Sequence, residues 1–206
     1  MLLKILVSGL TKAINYLYGY IYLEQSFKDA VIKELDKQTL LGSGCFSAVF
    51  NSTVPNRVKK IGVIDDEWLT YYENIIKGSK NPCIPIVDSV TYYDGYYVAI
   101  IERLTELSRT SEATLCMEYA SGLITSRAFM YKARQAVNVI LYPEYLKDLL
   151  DEIKELVTDD VVIDMHSSNF LYRDGALIIT DPLSDEEIIE DVDEWLNEEG
   201  LVEEYA

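Results

Sequence analysis

One histidine, three cysteines and 18 basic residues are few for a chain of 206 amino acids, and each shortage closes off a class of function. The lone His166 excludes multi-histidine zinc sites and His-rich tracts. Cys45, Cys83 and Cys116 are odd in number, widely spaced and without a C-x-x-C pair, so neither a disulfide framework nor a thiolate zinc site is expected. They fit a reducing, cytosolic compartment. The 18 Lys and Arg face 35 Asp and Glu, and the net charge of −17 argues against a broad electrostatic grip on nucleic acid or anionic lipid. A basic partner or a metal fits that charge better. Long apolar runs are missing too. Within residues 1–23 the longest uncharged stretch, Ala13 to Leu23, has 11 residues, where a membrane-spanning helix needs roughly 20. No signal-peptide cleavage pattern follows it, and packed or amphipathic structure is expected there, with a membrane-surface role as the alternative.

What is present is enough apolar residue, 49% of the chain, to bury one domain or two small lobes. Periodicity changes character along the chain. Residues 12–37 look helical, with apolar positions three and four apart. Residues 39–104 read as strands: Leu40-Leu41, Ala48 to Phe50, Arg57 to Ile61, a helix at Asp65 to Lys77, then Ile84 to Tyr92 and Tyr96 to Leu104 around the turn Tyr93-Asp94-Gly95. From Ser111 the pattern is helical again, most clearly at Pro143 to Val157, where Leu146, Leu149, Leu150, Ile153, Leu156 and Val157 make one stripe behind an N-terminal proline. Val161–Ile163, Phe170–Tyr172 and Ala176–Thr180 are short strands, the last two joined by Asp174-Gly175. An acidic, helix-like tail runs from Ser184. This order predicts an α+β chain with two lobes, a cleft between them and a hinge near Glu102 to Leu107; one compact domain without a cleft is the alternative.

Three segments carry chemistry. In Leu41-Gly42-Ser43-Gly44-Cys45-Phe46-Ser47-Ala48-Val49-Phe50 the two glycines let backbone N–H groups approach an anion, although a tight hairpin needing one left-handed glycine explains the spacing as well. In Arg57-Val58-Lys59-Lys60-Ile61 alternation puts Lys60 on the face of Val49 across the hairpin, where it can hold phosphates, while Lys59 reads as a solvated edge lysine. In Asp164-Met165-His166-Ser167-Ser168-Asn169, with Asp181 at the far end of the following hairpin, a tight loop can aim Asp164 at a hydroxyl. Asn169 and Asp181 then converge on one cation, and magnesium needs only one or two such oxygens. Turn and helix caps are the other explanation for these three residues.

The ordered set L-G-S-G-C-F-S-A-V-F, V-x-K, D-x-H-x-x-N and I-T-D resembles the protein-kinase-like fold. With P-N-R-V-K-K-I-G and I-T-D-P-L-S it is similar to the early serine/threonine protein kinases of the T-odd lytic podoviruses, the autographivirus group. The resemblance implies a small β-rich N-lobe and a reduced helical C-lobe, divided as 1–38 helical extension, 39–104 nucleotide-binding lobe, 105–184 catalytic lobe and 185–206 acidic tail. It implies ATP held by Leu41, Gly42, Ser43, Gly44, Val49, Lys60 and Glu102, with Glu73 favoured over Glu67 as the partner of Lys60. It makes Asp164 the base, His166 its neighbour at the γ-phosphate, and Asn169 and Asp181 the Mg2+ ligands. Host bacterial proteins in the host cytoplasm, in transcription and RNA processing, would be the substrates, with no direct nucleic-acid contact and no membrane span.

The sequence also departs from the pattern. Ser47 replaces the third glycine, Val162 stands where a histidine often precedes the catalytic Asp, Pro182-Leu183 replaces Phe-Gly, and no Ala-Pro-Glu segment follows, so control by an activation loop is not expected. Two other readings stand on these departures and on His166: a small-molecule phosphotransferase of the aminoglycoside or choline kinase type, or a degenerate kinase-fold protein that inhibits a host factor. From Asp185 to Ala206 there are 11 acidic residues and no basic ones, so the acidity is mainly a tail, read as a solvated helix face or as a contact for a basic partner.

Overall fold

The computed structural model describes residues 25–106, 111–135, 142–185 and 192–201. Helix α1 (Gln25–Leu35) buries Phe27, Val31 and Glu34, one stripe at helical spacing. Five strands follow as one antiparallel sheet: β1 (Leu40–Gly44), β2 (Ser47–Asn51), β3 (Arg57–Val63), β4 (Val87–Tyr92) and β5 (Tyr96–Glu102), in the order β1-β2-β3-β5-β4. The period of two decides what each face does. Ala48, Phe50 and Ile61 turn to Phe27 and Val31 of α1. The other face carries Val58 and Lys60 of β3, with Val49 and Ala99 beside Lys60 in register. Because β3 is central, Lys59 is not an edge lysine as expected; its ammonium pairs with the buried Glu34 of α1 at 2.5 Å.

Helix α2 (Glu67–Tyr71) starts at the N-cap Asp66, whose carboxylate accepts from the Trp68 N–H, and runs into a π-helical turn at Tyr72–Ile76. The following run is β only from Val87, shorter than the expected Ile84 to Tyr92. Pro82 and Pro85 lack the N–H that a ladder needs.

The rest of the chain is mainly helical: α3 (Ser111–Ala120), α4 (Ser126–Ala133) and α5 (Pro143–Glu155), whose Leu146, Leu149, Leu150 and Ile153 are fully buried. They pack on a small sheet of β6 (Thr105–Glu106), β8 (Phe170–Arg173) and β9 (Ala176–Ile179), ordered β6-β8-β9. The β8–β9 turn is Asp174-Gly175, both at positive φ, as a two-residue hairpin requires. One core joins the parts: Ile75, Ile76, Cys83 and Ile84 lie in the same cluster as Phe129, Leu149, Met165 and Phe170. The fold is α+β, a β-rich sheet with several helices.

The tail departs from the expected helix. Leu183–Asp185 is a strand, β10, antiparallel to β7 (Val161–Ile163). Helix α6 then spans only Val192–Glu198, and it is docked: Trp195 and Leu196 are buried with Phe27, the Trp195 and Phe27 ring centroids 6.4 Å apart. Acidic composition hid an apolar stripe. The expected N-terminal extension over residues 1–24, the end of the expected hinge at 107 and the tail residues 186–191 and 202–206 lie outside the described residues. Trp195→Ala is expected to cost about 3 kcal/mol, the scale of a buried aromatic deletion, where a solvated helix face would change by about 0.5 kcal/mol at most. Urea unfolding measures it.

Candidate active site

Lys60 is 5% exposed, so its ammonium stands in an apolar sheet face and needs negative partners. It has two. Asp181 Oδ2 lies 2.9 Å from Nζ and Asp66 Oδ2 lies 3.3 Å away, and the Trp68 ring covers the ammonium with its centroid at 4.9 Å. Burial works against the Lys60 charge, but Asp181 and Asp66 together hold its pKa above the ordinary lysine value.

The carboxylate from the helical segment is thus Asp66, which the sequence reading did not single out. Its only visible signal was a helix cap before Glu67-Trp68, and a cap explains Asp without an ion pair. Neither expected glutamate takes the place. Glu73 sits in the π-helical turn and faces outward, 2.5 Å from Lys77 and 2.6 Å from the Tyr92 hydroxyl. Glu67 stands with Oε2 buried and without a hydrogen-bond donor among the described residues, and burial pushes its pKa up. Glu102 is buried too, but its carboxylate is committed to Arg173 at 2.6 Å and to the Ile86 N–H at 2.7 Å. It braces the β8–β9 hairpin against the large sheet and does not face Lys60.

Gly42 and Gly44 lie in β1, opposite Val49 and Ser47 of β2. Neither has positive φ, so the hairpin does not need them for a left-handed turn. A Cβ built on either would meet nothing within 4 Å. Their missing side chains leave open space over the strand, with Leu41 and Ser43 between them. Val49 lies on the Lys60 face.

The Asp164 to Asn169 loop is built by its own hydrogen bonds. The Asp164 N–H donates to the Pro182 carbonyl at 2.9 Å, binding the loop to the residue after Asp181. The Asn169 amide nitrogen donates to the Asp164 carbonyl at 2.7 Å. The Thr180 N–H and hydroxyl both donate to the Asn169 carbonyl, at 2.9 and 3.0 Å, so Asn169 and Asp181 stand at one open hairpin end. His166 Nε2 is 3.4 Å from Asp164 Oδ2, and Nδ1 meets the Ser168 hydroxyl. Among the described residues no three His, Cys, Asp or Glu side chains form a metal-holding cluster.

The Asp181 carboxyl stands raised from 3.8 to about 6, with burial the largest cause, Lys60 working against it, and Asp66 and Asp164 adding to it. A folded pKa above the unfolded one means that the ionised form destabilises the fold. That cost is full above about 6 and disappears as pH falls toward 3.8. Asp181→Asn removes this titration together with one of the two counter-charges of Lys60, so the difference in melting temperature between variant and unchanged chain is expected to shift in the variant's favour from about pH 4.5 to about pH 7.5. Thermal melts at the two pH values check it; a difference that stays constant or shifts the other way contradicts the assignment.

Residues 11–205 match the sequence family described as bacteriophage T7 protein kinase 0.7. No curated protein sequence matches the chain. Since that family match spans nearly the whole length, the chain belongs to the bacteriophage T7 protein kinase 0.7 family, a family of phage protein kinases.

Proposed function

We propose that this phage kinase transfers the γ-phosphoryl group of ATP, with magnesium, to serine or threonine hydroxyls of host proteins in the host cytoplasm. The observation that carries the reading is the convergence of Lys60 and Asp181, 121 residues apart in sequence and 2.9 Å apart in space, beside the loop that holds Asp164 and Asn169. In this reading residues 39–104 form the nucleotide-holding lobe and 105–184 the catalytic lobe of a kinase-like pair, with the open strand at Gly42 and Gly44 over the phosphates and Lys60 as their fixed counter-charge.

The donor set suits magnesium. Asn169 spends its amide nitrogen on the Asp164 carbonyl, which leaves the amide oxygen for a cation, and the Asp181 side chain is 33% exposed beside it. Two hard oxygens, completed by phosphate and water, are what that ion takes from a protein. Bound there, it would supply positive charge against the charge developing on the phosphoryl oxygens. The chain's own residues do the rest. Asp164, 42% exposed at its side chain, orients the acceptor hydroxyl and takes its proton as the oxygen bonds to the γ-phosphorus and the bond to the β-phosphate oxygen breaks. His166 Nε2 braces that carboxylate. Catalysis is positioning plus electrostatics.

His166 next to Asp164 also suits a small alcohol as acceptor, and the assay separates the two. With γ-labelled ATP, magnesium and host lysate, label is expected in protein as phosphoserine or phosphothreonine. Asp164→Asn is expected to lower transfer by at least about 100-fold, the scale of a lost general base, with an unchanged melting curve. Full transfer by Asp164→Asn sinks the mechanism, and label confined to small molecules moves the acceptor to that class.

A further inference from the structure

The two carboxylates on Lys60 are not equivalent. Asp66 is engaged on both oxygens: Oδ1 accepts from the Trp68 N–H at 2.9 Å, while Oδ2 takes the Tyr97 hydroxyl at 2.5 Å and Lys60 at 3.3 Å. Asp181 holds only Lys60 among the described residues and is a third exposed. A lysine that must reach a phosphate while Asp181 turns to a cation keeps one partner throughout, and that partner is Asp66.

We propose that Tyr97 is a positioning residue for Lys60, its hydroxyl locking the Asp66 carboxylate so that the ammonium keeps its place when Asp181 leaves it. The proposal rests on the kinase reading above and extends it by one residue. Tyr97 is 0% exposed and stacks on Trp68, centroids 5.4 Å apart and planes 8° apart, so its ring has one seat. That seat is cut by Gly62, which pairs with Tyr97 in register two residues from Lys60 on the same face. A Cβ at Gly62 would come within 2.5 Å of the ring and of the hydroxyl oxygen. A dry phenol costs stability unless it is bonded, and phenylalanine would fill the same stack without that demand. Burial first, and then the Asp66 charge, push the Tyr97 pKa well above its ordinary value, so it stays a donor. A purely structural capping role for Asp66 needs neither the hydroxyl nor the glycine.

An ATP acyl phosphate tests this directly. The Lys60 ammonium gives up one proton to solvent, the amine attacks the acyl carbon, the bond from that carbon to the γ-phosphate oxygen breaks, ATP departs and a second proton leaves as the amide forms, so mass spectrometry of the Lys60 peptide reads how well Nζ is held at the phosphates. Tyr97→Phe is expected to slow both Lys60 acylation and kcat by about tenfold with little change in the ATP KM, and Asp66→Asn, which keeps a cap oxygen, by at least as much. The double variant is expected to be no slower than Asp66→Asn alone, because Tyr97 acts through Asp66. Gly62→Ala, which displaces the ring but keeps every functional group, is expected to follow Tyr97→Phe. Wild-type rates in Tyr97→Phe, or effects that multiply in the double variant, overturn the proposal while the kinase reading stands. An unchanged chain that neither acylates at Lys60 nor transfers phosphate overturns the reading, and the proposal with it.

Discussion

A buried ammonium is the constraint from which the rest of the arrangement follows. Lys60 sits in the middle of a sheet whose face is otherwise Val58, Ala99, Tyr97 and Ile101, and an unpaired charge there would unfold the segment or lose its proton. One counter-ion, Asp66, is six residues away and local. The other, Asp181, arrives only when the β8–β9 hairpin is docked. That hairpin is tied at both ends by ion pairs of opposite polarity: Asp181 beyond its open end reaches Lys60, and Arg173 beside its turn reaches the buried Glu102. Arg173 also donates to the Pro82 carbonyl at 2.6 Å, and the Ile179 N–H donates to the Cys83 carbonyl at 2.9 Å. Such pairs add little net stability, but a hairpin slipped in register would leave charges buried and alone. They fix where Asn169 and Asp181 stand.

The parts of this that were legible in the sequence rest on periods. Strand alternation placed Lys60 on the Val49 face, and the dipeptide Asp174-Gly175 announced a hairpin whose open ends are Asn169 and Asp181. The proline-led stripe gave α5. What was not legible rests on spatial order. Strand order put β3 in the centre, which turned Lys59 from an edge charge into the partner of Glu34. A π-helical turn, with the Lys77 N–H reaching the Tyr72 carbonyl, carried Glu73 away from the site. The carboxylate then came from a helix cap, and an aspartate that satisfies a backbone N–H in sequence gives no sign of what its second oxygen does.

The acidic tail shows the same limit. Eleven acidic residues after Ser184 predicted solvent exposure, since charge composition dominates any average over that segment. Glu198 and Glu199 are exposed, as that charge predicts, but two apolar side chains between the acidic positions are not. Trp195 and Leu196 join Phe27, Phe50 and Ile61 on the sheet face opposite Lys60, and Lys28 lies over the Trp195 ring at 5.5 Å. The chain therefore leaves Asp181, pairs β10 with β7, and returns to cover the strands that carry Gly42 and Lys60. Both faces of β3 are then packed, and the strand that presents Lys60 is held from behind.

A rigid strand matters because the proposed chemistry needs one group to stay and one to move. The Asp181 carboxyl, pushed up to about 6 by burial and by its acidic neighbours, is a poor structural anion. Ionised and a third exposed, it is the partner that the proposed chemistry gives over to the cation. Asp66 is the one it keeps: its oxygens are filled by a backbone N–H, a phenol and an ammonium, all in a dry setting. The difference in satisfaction, more than in distance, separates the counter-ion that the proposed chemistry keeps from the one it exchanges. In that chemistry the stability that burial takes from the ionised Asp181 is held elsewhere, in the double-sided packing of the sheet.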